Sequence, residues 1–120
     1  MPSPINLADK LSRFDATWTP HVVAALNGQL VKLAKLDGEF VWHDHAQEDE
    51  LFLVVEGRLR IEFRDGDVTL GPGELYVVPA GVEHRPVALP TASVLLFEPA
   101  TTAHTGAVVS DRTVRDLPSI

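Results

Sequence analysis

From Val22 to Glu98 the chain is cut into short apolar or alternating runs by turn-forming residues, and this punctuation constrains the fold more than any other feature. Asn27-Gly28 follows the run Val22–Leu26 and readily supplies the two positive-φ residues of a type I′ hairpin. The return run is Leu30–Leu36, after which Asp37-Gly38 is expected to turn the chain again. Phe40–His43, Leu51–Glu56, Leu59–Phe63, Val68–Leu70, Glu74–Val78 and Ser93–Glu98 follow, separated by Gly57, Asp65-Gly66, Gly71-Pro72-Gly73 and Pro79-Ala80-Gly81. No helix-length pattern lies between these runs, which argues against a βαβ sheet. About eight or nine short strands in an antiparallel sandwich or barrel are expected instead.

Only the beginning reads as helical. Asn6 can cap, Asp9 stands three residues later, and Leu7, Leu11 and Phe14 repeat at i, i+4 and i+7. A short helix over about 6–14, packed on the domain's edge, is expected. A length of 120 residues suits one domain with its own core and is too short for two. The expected organisation is a single domain over 1–120, with a core barrel over about 20–99 and a polar tail over about 100–120 that packs along the barrel or a second subunit.

Charge and residue types narrow the function. The formal net charge of −7 repels phosphate backbones and anionic lipid, so neither nucleic acid nor membrane is an expected partner. Cysteine is absent, which excludes disulfides and thiolate chemistry and leaves histidine and carboxylate as transition-metal ligands. The N-terminus shows no charged segment followed by an apolar stretch, and no apolar run reaches the roughly 18 residues of a membrane span. A cytoplasmic location is the simplest expectation.

The segment "WHDHAQEDELFLVVEG", residues 42–57, crowds ligand-type side chains onto the start of an apolar strand. In extended chain, residues i and i+2 share a face, so His43 and His45 project together and can converge on one ion. Glu50 opens the apolar run and is read as a third ligand, its carboxylate turned inward, whereas Asp44, Glu48 and Asp49 are read as solvated. His84 closes "GELYVVPAGVEH", where a buried strand ends at Pro79 and Gly81 permits an unusual turn, and is read as the fourth ligand.

The pattern His43-x-His45-x4-Glu50-x6-Gly57, with Gly73-x5-Pro79-x-Gly81-x2-His84, resembles the paired motifs of the cupin superfamily. The resemblance covers residues 38–88 and departs from the usual pattern at Gly38, one residue closer to His43 than is common, and at Ala88, where Asn is common. It implies an all-β jelly-roll barrel, or double-stranded β-helix, with the short N-terminal helix appended. It also implies one divalent transition metal held by His43, His45, Glu50 and His84. Three imidazoles and a carboxylate suit Fe, Mn, Zn, Ni, Co or Cu, and a six-coordinate ion would leave two positions for water, substrate or dioxygen.

If Glu50 faces the interior, period two places Phe52 and Val54 on the same side, and His43 brings Val41 there. The walls are then largely apolar, and Phe52 is the candidate substrate contact. Trp42 is expected to point away from the ligands. Arg58, Arg60, Glu62 and Arg64 read as a wet, cross-strand-paired face, with Arg60 an anion ligand only if that face turned inward. His21 and His104 are read as packing or surface residues.

The functional expectation is a divalent-metal protein acting on a small chelating metabolite, with dioxygenase- or isomerase-like chemistry. The alternative is a non-catalytic module in which the metal braces the barrel or tethers a small molecule. A homodimer is expected from the resemblance and from the apolar edge read over Val22–Leu36.

Overall fold

The computed structural model describes residues 2–102 and 117–120. One helix, α1 (Leu7–Leu11), precedes six strands: β1 (His21–Leu26), β2 (Gln29–Glu39), β3 (Glu50–Phe63), β4 (Gly66–Leu70), β5 (Leu75–Val78) and β6 (His84–Pro99). All pairings between them are antiparallel, in the order β1-β2-β6-β3-β4 with β5 on the far end of β3. The helix is shorter than the expected 6–14, but its cap is the one read from the sequence: the Asn6 side chain accepts from Asp9 N at 2.9 Å.

Six strands, not eight or nine, form the described sheet, because glycines expected to end strands bend them instead. Asp37-Gly38 makes no turn; β2 runs on to Glu39 with a register shift between Asp37 and Glu39. Gly57 does not divide β3, which shifts register against β6 on both sides of it. Here glycine is required: φ is +80°, and a Cβ would lie 2.2 Å from Thr91 O. The Asn27-Gly28 hairpin forms as expected, with φ of 49° and 76° and Leu26 paired to Gln29.

Bent strands let one sheet curl around a core. Along β3, Glu50, Phe52 and Val54 are buried and alternate with half-buried Leu51, Leu53 and Val55. The interior packs Trp18, Leu36, Phe40, Phe52, Val54, Leu59, Ile61, Val78, Val94 and Leu96 into one apolar cluster. A second cluster lies on the opposite face, where Leu11 and Phe14 cover Leu33 together with Val55, Leu95 and Ile120. Phe14 also stacks on His21 at 3.9 Å, so His21 is a packing residue.

The expected edge over Val22–Leu36 is found only in part: β1 is the end strand of the sheet, whereas β2 is interior. β2 lies between β1 and β6, and residues 118–120 run alongside β1, with Val22 N donating to Pro118 O at 2.8 Å and Ile120 N to Val22 O at 2.9 Å. His104 and most of the expected tail lie outside the described residues.

Candidate metal centre

His43 and His45 sit on irregular chain between β2 and β3, not on the expected Phe40–His43 strand. What fixes them is backbone pairing with the loop before β6. His43 and His84 form an isolated antiparallel bridge, with N–H···O distances of 3.0 and 2.9 Å, and Gly81 N donates to His45 O at 2.8 Å. Asp49, exposed as expected, accepts from Ala80 N at 2.8 Å and ties the same loop to the start of β3. Glu50 and His84 are the first residues of β3 and β6.

The structure brings all four sequence-identified residues together. Each is buried, and one ligand atom from each lies within 4.8 Å of the others. Glu50 Oε1 is 3.3 Å from His45 Nε2 and 3.5 Å from His84 Nε2. None of these three atoms has a hydrogen-bond partner. Buried polar atoms without partners are costly, and several converging on one point fit a bound cation.

Second contacts select the ligand form. His43 Nδ1 lies 2.9 Å from Val41 O and His84 Nδ1 2.9 Å from Val82 O. A carbonyl only accepts, so each Nδ1 carries the hydrogen, which leaves Nε2 as the atom available to an ion. Burial, reinforced by nearby His84, lowers the His43 pKa to about 4, so this ring is neutral near pH 7. For Glu50, burial opposes ionisation, but contacts from Glu98, His45 and His84 outweigh it and hold the carboxyl well below the ordinary range. The neutral His43 ring and the ionised Glu50 carboxylate are the forms a divalent ion takes.

A small cavity of about 30 Å³ adjoins the cluster, with His43 and Glu50 in its lining and otherwise apolar walls. Phe52 lines it, as the strand phase indicated, whereas Val54 is packed in the core and Val41 is half-buried against it. Sequence reasoning missed Trp18 and Pro20, which line the cavity from the segment before β1. Trp18 has φ of 55°, uncommon for a bulky residue. It is held there by Trp18 N to Lys35 O at 2.8 Å, Nε1 to Asp37 O at 3.0 Å, and stacking on Phe40 at 4.5 Å. The Asp37-Gly38 bulge supplies one of these acceptors, a contact no local pattern announces.

The remaining candidates lie apart. Trp42 points away from the four ligands and is covered by the Arg64 guanidinium at 3.8 Å. Arg60 pairs with Glu62 at 2.9 Å, and Arg85 with the same carboxylate at 2.6 Å. Arg60 is thus engaged on the wet face.

The curled antiparallel sheet and its inward His-His-Glu-His cluster define a small jelly-roll protein of the cupin superfamily. The family model for the cupin domain (Cupin_2) matches residues 29–98, and the chain belongs to this family. A cupin-2 domain containing protein from Shewanella frigidimarina NCIMB 400 is similar at 50% identity and a TM-score of 0.78, covering 79% of this chain and 93% of that one. Protein NMB1881 from Neisseria meningitidis is similar at 34% identity and a TM-score of 0.74, covering 82% and 100%. The uncharacterized protein YdbB of Bacillus subtilis (strain 168) is 39% identical over 64 residues, which span 52% of this chain and only 57% of that relative. No helix among the described residues is long and apolar enough to cross a membrane.

Proposed function

We propose that this chain binds one divalent transition ion through His43, His45, Glu50 and His84 and uses it on a small metabolite that chelates the ion. The observation that carries the reading is the convergence of three partnerless buried atoms, His45 Nε2, His84 Nε2 and Glu50 Oε1. When bound, such an ion supplies Lewis acidity or, as iron, dioxygen activation, which suits isomerase- or dioxygenase-like reactions.

The protein's own residues bound the ligand. Val41 O and Val82 O orient the rings of His43 and His84, and Phe52, Trp18 and Phe40 exclude bulk water from the side of the cavity. Among the described residues no lysine or arginine lines the cavity, so the bound ion itself would be the cationic partner of an anionic group there. A compact, partly apolar molecule with a chelating oxygen fits best.

The small cavity favours a second reading, in which the ion braces the barrel and no substrate enters. About 30 Å³ holds a water or two. Metal analysis of the purified protein, followed by water-proton relaxation of its Mn²⁺ form, separates the two. One ion per chain with rapidly exchanging water supports the enzyme; an ion without exchangeable water supports the brace; failure to take up any divalent ion removes both. A homodimer is part of the same proposal and is checked by light scattering.

A further inference from the structure

Successive residues of extended chain point to opposite faces, so the neighbours of an inward ligand lie on the outside of the wall that carries it. Trp42 precedes His43, and Glu83 and Arg85 flank His84. The backbone bridge between His43 and His84 brings these three residues together on the outer face.

The Trp42 ring lies under two guanidinium groups, Arg64 at 3.8 Å and Arg85 at 5.4 Å from its centroid. Both are within the roughly 6 Å at which a cation is drawn to an aromatic face. Arg64 belongs to the turn between β3 and β4 and is held by Glu83 at 2.6 Å. Arg85 is held by Glu62, its cross-strand partner on β3, at 2.6 Å, and by Glu39, the last residue of β2, at 3.3 Å. Both cations are therefore anchored where they cover the ring.

This layer is a weak device for overall stability, because exposed ion pairs contribute little and Arg64 and Glu83 are 62% and 47% exposed. Its leverage is local. Irregular chain leaves β2 at Glu39 and has to deliver His43 and His45 before β3 starts at Glu50. On its backbone, Phe40 N donates to Pro86 O at 2.9 Å and His43 exchanges two bonds with His84. Trp42 falls between these ties, and Arg64 joins it to Glu83, so one side chain links the neighbours of two cluster histidines. An ion tolerates errors of only about 0.2 Å in its ligand distances, so a tie at this point acts on affinity more than on folding.

We propose that Trp42 is a positioning residue for the metal centre: clamped from outside by Arg64 and Arg85, it fixes His43 relative to His84. This rests on the reading of the four-residue cluster as a metal site.

The test is Co²⁺ binding to the full chain, by competition titration and d–d absorption, with folding followed by circular dichroism. Trp42→Leu keeps an apolar side chain but loses the aromatic face, and its Co²⁺ affinity is expected to fall about 3–10-fold with an altered d–d spectrum. Trp42→Phe keeps a face for the cations and is expected to stay within about 2-fold of wild type. Arg64→Met, a surface change expected to fold, removes one cation and should cost about 2–5-fold. Arg58→Met removes the same charge from an exposed position of β3 and is expected to bind as wild type does. Wild-type affinity and spectrum in Arg64→Met or in a folded Trp42→Leu would overturn the proposal. So would a loss in Trp42→Phe equal to that in Trp42→Leu, or a loss in Arg58→Met equal to that in Arg64→Met. Should wild type take up neither Co²⁺ nor any other divalent ion, the metal reading itself fails and the proposal falls with it.

Discussion

His43 and His84 are joined twice through their backbones, N–H to C=O in both directions, while their side chains present Nε2 toward the same cluster. The bridge uses no imidazole atom. Truncating either ring therefore removes a ligand without removing the pairing that shapes the site. His43→Ala and His84→Ala are expected to keep a native circular dichroism spectrum and lose divalent-metal affinity by more than the roughly 10–100-fold typical of an outer partner. Metal analysis of the two purified variants checks this, and wild-type metal content in both would dismiss the site.

Acid should weaken the metal-free protein through His43. Its pKa is about 4 in the fold, against roughly 6.5 in an unfolded chain. Between these values the unfolded state binds the extra proton, so stability rises with pH across the window. The contribution is fully present above about pH 6.5 and is lost progressively as pH falls to about 4, on the order of 3 kcal/mol at most. Urea unfolding midpoints at several pH values would show the loss, and His43→Asn should flatten that part of the profile.

Gly57→Ala should be among the most damaging single changes outside the ligands. The added methyl would meet Thr91 O at 2.2 Å and Ala92 Cα at 2.9 Å, both backbone, at a φ that disfavours any side chain. A loss of about 2–4 kcal/mol is expected from strain and overpacking together. Chemical denaturation measures it, and a loss below about 0.5 kcal/mol, within the range of a neutral surface change, would show that the bulge relaxes freely.

Trp18→Phe separates the cavity from the ligands. It removes the Nε1 bond to Asp37 O but keeps a ring to stack on Phe40. Stability is expected to fall by about 1 kcal/mol, metal content to stay unchanged, and larger chelators to raise the melting temperature of the metal-loaded protein more than they do for wild type. An equal response in both proteins would mean that Trp18 does not limit entry.

The buried four-residue cluster was legible because it depends on identity and phase: His43 and His45 two apart, Glu50 in step with Phe52 and Val54, and His84 just beyond the Pro79–Gly81 turn. The strand count was not, because a glycine that ends a strand and one that kinks it read alike; the difference at Gly57 lies in the close approach of Thr91 O, 34 positions away. Trp18 meets the cavity through long-range contacts that leave no local trace. Lys32 and Glu98, a buried ion pair with Nζ to Oε1 at 2.8 Å, did leave one. Lys32 is in phase with Ala34 and Leu36, and Glu98 with Val94 and Leu96, all buried, so strict alternation already set both charges on the inner face.

The segment at residues 118–120 changes how this sheet can meet another. Strand β1 would otherwise offer a row of open amides and carbonyls; Pro118 O and Ile120 N occupy the Val22 positions, and Lys10 Nζ donates to Ile120 O across the seam. A copy joining by strand addition at the start of β1 would have to displace this segment from Val22. Pairing at Val22 would then be an exchange of one strand for another, not a simple addition.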